Sequence, residues 1–165
     1  MALYEAAAKK AGQTPESPKG PATWAPAPTF AGLVGQGEMV SLLARRDKFG
    51  ADATGLQELL LYGIKGAAAY ADHAQLLKHE AEEVYAYFAE ALCHLAEEKP
   101  TVDGLFALNL KCGEINLKVM EILDAAHTST YGHPVPTKVP LGHKKGKAIL
   151  VSGHDLKDLE ALLKQ

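Results

Sequence analysis

The stretch DGLFALNLKCGEINLKVMEILDAA, residues 103–126, decides the fold. Leu105, Leu108, Cys112, Ile115, Val119, Ile122 and Ala126 recur at alternating steps of three and four. That spacing lays one apolar stripe along a helix and reads as the seam of a helical bundle. Two partners with the same periodicity lie upstream. One runs from about Glu80 to Glu98, with Val84, Phe88, Ala91 and Leu95 on its stripe, Glu82, Glu83, Glu90 and Glu97 among its polar positions, and Pro100 helping to end it. The other carries Leu56, Leu59, Leu60, Ile64, Ala67, Tyr70 and Ala71, with Thr54 as its expected cap. Gly63 and Gly66 sit inside this helix, where small residues let a second backbone approach closely.

Outward from the bundle the chain is less regular. Ala2 to Ala11 reads as a short helix. Five of the nine prolines fall between Gln13 and Thr29, which makes this stretch an extended strap. Trp24, the one tryptophan, is expected to pin the strap to the bundle. Gly32 to Phe49 predicts a further helix, weakened by Gly35 and Gly37 and stopped by Gly50. Beyond the seam, Tyr131 to His143 is rich in glycine and proline and reads as a connection. Lys147 to Val151 (KAILV) fits a short buried strand. Ser152-Gly153-His154-Asp155 is then a turn. Leu156, Leu159, Leu162 and Leu163 form an amphipathic helix, with Asp155 in position to cap it.

The expected fold is therefore mainly α: a three-helix bundle behind a Pro-rich N-terminal strap, followed by one β-strand and a helix that begin an α/β domain. The divisions are 1–30 for the N-terminal helix and strap, 31–130 for the bundle, 131–146 for the connection, and 147–165 for the strand and helix. A lone strand has no partner for its backbone groups. The ending therefore reads as truncated, and its unpaired strand is a candidate for self-association.

Composition excludes several classes. The 165 residues suffice for a core that buries roughly 70% of the unfolded surface. The net charge of −3 argues against a general grip on nucleic acid or on an anionic membrane. No apolar run approaches the ~20 residues of a membrane span. Cys93 and Cys112 stand far apart, with no CxxC pair, which fits a reducing cytoplasm rather than a disulfide framework. No phosphate loop, dinucleotide fingerprint or nucleophile motif occurs.

Among chemistry-bearing residues, His154 is the foremost. Ligands of open α/β sheets gather in strand-to-helix loops. There a neutral imidazole could bind a metal while Asp155 or a backbone carbonyl holds its other nitrogen. The local residues leave a plain turn or capping role open, since one histidine makes no metal site. Glu90 and His94, one helical turn apart, raise a carboxylate–histidine metal bundle as a second idea, with Glu114 the only comparable group on the facing helix. His73 and His79 read as solvated. His127, His133 and His143 match no metal spacing. Cys112 on the seam, and Cys93 beside it, read as inert thiols. Lys138, Lys144, Lys145 and Lys147 read as a solvated basic connection.

Several stretches together resemble the hybrid-cluster protein (prismane) family of hydroxylamine reductases. These are PATW (21–24), GLQELLLYGIKGAAAYA (55–71), GEINLKVM (113–120), YGHPVPT (131–137) and, most specific, GKAILVSGHDLKDL (146–159). The resemblance runs from about Pro21 to Gln165. It implies an internal fragment of an oxidoreductase whose full-length members have two three-helix bundles followed by two α/β domains. They carry a cysteine-bound cubane-type 4Fe-4S cluster and a hybrid iron–sulfur–oxygen cluster held by one histidine, two glutamates and several cysteines. That histidine maps onto His154, the one cofactor-binding and metal-ligating residue the resemblance assigns here. It implies reduction of hydroxylamine to ammonia, or of nitric oxide, with electrons from a separate donor. The nickel carbon monoxide dehydrogenases share the fold distantly. The N-terminal cysteines of the family have no counterpart here, its other hybrid-cluster ligands lie beyond Gln165, and neither Cys93 nor Cys112 matches a cluster ligand. This chain alone is thus expected to hold no cluster stably and to be inactive. The competing reading is a stand-alone helical interaction module whose terminal strand adds to a partner's sheet.

Overall fold

The computed structural model describes residues 2–17, 20–153 and 155–165. Its helices are α1 (Ala2–Lys10), α2 (Phe30–Met39), α3 (Leu42–Phe49), α4 (Ala51–Leu76), α5 (Glu82–Leu95), α6 (Val102–Tyr131) and α7 (Leu156–Lys164), with a short 3-10 turn at Gly20–Thr23. The expected bundle is present: α4, α5 and α6 pack on one another, and α3 leans on α4. At about 1.5 Å per residue, α6 extends for about 45 Å and α4 for about 39 Å.

The long helices start and stop where local chemistry allows. Thr101 caps α6 by accepting the Gly104 amide at 3.2 Å, and Gly132, at φ 83°, ends it. Along α6 the buried positions are Leu105, Leu108, Cys112, Val119 and Ala126, with Ile115 and Ile122 half-buried, so the whole seam read from the sequence faces inward. It meets Ala53, Leu60 and Ile64 of α4 and Tyr87 and Ala91 of α5 in one continuous core. Phe49, Leu56, Phe88, Leu95 and Ile115 close its edge.

Four expectations need correction. First, α4 begins at Ala51, not at Thr54. Gly50, at φ 85°, ends α3 and opens α4 in one residue, a backbone state that costs little only without a Cβ. Thr54 lies inside the helix, buried at 2% exposure, as does Gln57. Second, the helix expected over 32–49 breaks at Val40. Ser41 caps a new helix there by accepting the Ala44 amide at 3.2 Å, so α2 and α3 are separate helices.

Third, Trp24 does not pin the strap, being 63% exposed. Gln36 of α2 does so with its amide group. Its Oε1 accepts from the Ala27 amide at 2.9 Å and its Nε2 donates to the Ala25 carbonyl at 2.8 Å. A side-chain amide offers both donor and acceptor, so it can clamp a segment whose prolines leave few backbone donors.

Fourth, residues 147–151 form no strand, and no strand occurs among the described residues. Ile149 and Leu150 stand 88% and 95% exposed. An extended run becomes a strand only by pairing its backbone groups, and here nothing lies alongside to bond them. Helix α7 does form. Asp155 caps it by accepting the Lys157 amide at 2.9 Å, in the role its position predicts. Glu160 pairs with Lys157 at 3.0 Å and with Lys164, and these two ammonium groups hold its carboxyl below the ordinary range. No helix among the described residues is long and apolar enough to cross a membrane.

Candidate functional site

His154, the residue singled out by the sequence, lies outside the described residues. Its setting is described on both sides. Val151, Ser152 and Gly153 precede it on exposed, irregular backbone, and Asp155 comes next at the N-cap of α7. An open hollow of about 650 Å³ is lined here by Ser152, Gly153, Asp155, Asp158 and Leu156, Leu159 and Leu162 of α7. One oxygen of Asp155 is committed to capping.

The residues of the second metal idea are engaged elsewhere. Glu90 pairs with Lys111 of α6 at 2.6 Å, and His94 Nδ1 meets Glu97 at 2.7 Å. Both pairs are about half exposed, so each contributes little to stability. Glu114 points to solvent. Among the described residues no group of three or more histidine, cysteine, aspartate or glutamate side chains converges on one point. These residues by themselves do not fit an iron–sulfur cluster, which needs several thiolates around it.

The two thiols differ. Cys112 is buried as expected, whereas Cys93 is exposed on the outer side of α5. Cys112 stands against Gly63 of α4: a Cβ built on Gly63 would stand 2.8 Å from its Sγ. Gly63 is therefore the small residue that lets the two helices meet, while a Cβ on Gly66 would touch nothing within 4 Å.

Beside Cys112, Tyr87 of α5 is 1% exposed and donates its hydroxyl to the Leu108 carbonyl at 2.9 Å. Burial, then Cys112, then the Glu90 charge push this phenol well above its ordinary range, so it stays protonated as a donor. The stripe read from the sequence puts Phe88 in the core and passes over Tyr87. A position three after Val84 and four before Ala91 satisfies the same periodicity, and that is the signal that could have found it.

The remaining histidines are scattered. His79 Nε2 stands 3.4 Å from the Ser129 hydroxyl, and both His73 and His79 are half-buried rather than solvated. His127 lies with its ring centroid 6.2 Å from that of Tyr131. His133, His143 and the four lysines of the connection are exposed. A groove of about 580 Å³ runs between α4 and α6, walled by Leu59, Tyr62 and Tyr70 and floored by Gly63 and Cys112, with Asn109 and Asn116 along it. Its lining suits apolar contact rather than catalysis.

A helical bundle followed by a Gly-His-Asp sequence, its aspartate capping a further helix, is the class of protein that fold and sequence define together. Comparison with known proteins gives the family. The family model for the Prismane/CO dehydrogenase family matches residues 8–165, and the chain belongs to that family. It is 53% identical to a hydroxylamine reductase of Rhodospirillum rubrum over 164 residues, covering 99% of this chain and 30% of that protein. It is 51% identical to one of Methanocella arvoryzae, covering 95% of this chain and 29% of the relative. With one of Syntrophobacter fumaroxidans the identity is 54%, over 87% of this chain and 26% of the relative. The chain thus spans about 30% of the length of the curated relatives it matches.

Proposed function

We propose that this chain is a segment of an iron–sulfur oxidoreductase that reduces hydroxylamine to ammonia, or nitric oxide, at a hybrid iron–sulfur–oxygen cluster. In this reading His154 is the imidazole ligand of that cluster. Its glutamate and cysteine ligands, and a second, cubane-type cluster, come from other parts of the longer protein. The bundle of α4, α5 and α6 is a rigid support beside that site. The cluster supplies the redox chemistry when bound. The part assigned to this chain is to supply one imidazole to that site, where cluster geometry requires small positional error. Electrons come from a separate donor, and the setting is the cytoplasm. By itself the segment is inactive.

The observation that carries the reading is the match of residues 8–165 to the family, at about half identity to proteins named hydroxylamine reductase. Asp155, the residue after His154 in the sequence, caps α7.

A chimera tests the proposal. The Rhodospirillum rubrum hydroxylamine reductase would receive this segment in place of its own, and the same chimera would be made with His154→Ala. The expected result is a chimera that consumes hydroxylamine with a reduced viologen dye as donor. The variant should lose at least about tenfold in rate, since losing even the support of a metal ligand typically costs about 10–100-fold, and should show an altered cluster resonance. Unchanged rate and resonance in the His154→Ala chimera would overturn the assignment. For the 165-residue chain alone, anaerobic reconstitution with iron and sulfide should leave no stoichiometric cluster and no turnover. Turnover by that chain would refute the claim of inactivity.

A further inference from the structure

We draw no further inference here: the strongest candidate, the apolar groove between α4 and α6 floored by Gly63 and Cys112, carries nothing because nothing in the structure shows what covers it.

Discussion

Tyr87 joins burial to hydrogen bonding in a single side chain. It fills the space between α5 and α6, and its hydroxyl satisfies a carbonyl of the seam helix. Tyr87→Phe keeps the packing and removes the donor, so it should cost about 0.5–1.5 kcal/mol in urea unfolding. The same residue sets a pH dependence. Its phenol is raised above the ordinary 10.0, so above that pH the unfolded state loses the proton while the folded state keeps it. Folding stability is therefore fully present below pH 10.0 and falls as pH rises above it. Unfolding curves of wild type and Tyr87→Phe, taken from neutral pH to alkaline pH, should converge as the wild type loses this contribution. Parallel curves would show that the phenol is not held protonated. Gly63 gives a second prediction at this scale. Gly63→Ala in a helix interior would gain roughly 1 kcal/mol of propensity, but its Cβ would press on Cys112 Sγ at 2.8 Å. Overpacking of about 1–3 kcal/mol should win, leaving a net loss. Cys112→Ala removes the obstacle, so the double variant should be more stable than the sum of the singles by at least about 0.5 kcal/mol.

At the scale of elements, the ends of α4 carry the constraint. Its C-terminus closes with His79 N–H on the Ala74 carbonyl at 3.0 Å and Lys78 N–H on the Gln75 carbonyl at 2.8 Å. This is the bonding of a Schellman cap, in which the turning residue is usually glycine. Here it is Lys78, at φ 67°, the only non-glycine residue with positive φ among those described. Lys78→Gly should relieve about 1 kcal/mol of strain and raise the thermal midpoint. Gly50→Ala at the opposite end, at φ 85°, should lower it by a similar amount. Periodicity locates these helices because an apolar stripe of three-and-four spacing can be buried in only one way. It places their ends less well. Thr54 has the residue type of a cap, yet Gly50 a few residues earlier lets the chain turn sooner, and the helix takes the earlier start. Glycine-containing α2 reads as continuous with α3 because nothing in the stripe itself marks a break at Ser41.

At the scale of the molecule, burial among the described residues stops before Gly132. No residue from 132 to 165 is buried among those described, and all of the core lies before it. Residues 31–130 should behave as a folding unit, with 131–146 as a connection toward the C-terminal helix. Limited proteolysis should cut first in the connection and leave a resistant bundle. A chain ending at Gly132, which keeps the residue that ends α6, should unfold within about 1 kcal/mol of the whole, since removing exposed residues away from the core changes little. A large loss on truncation would show that the C-terminal part packs on the bundle more closely than its exposure indicates.

The seam, the bundle, the Asp155 cap of α7 and the family were all legible from residue order, because each rests on local spacing or on runs of residues that resemble known sequences. Tertiary structure alone decided that Tyr87 belongs to the core, that Gln36 rather than Trp24 fastens the strap, and that residues 147–151 stay unpaired. Each of these depends on what stands opposite a residue in space. A stripe tells which way a side chain faces but not which partner it finds, and a strand exists only when a neighbour completes its hydrogen bonds.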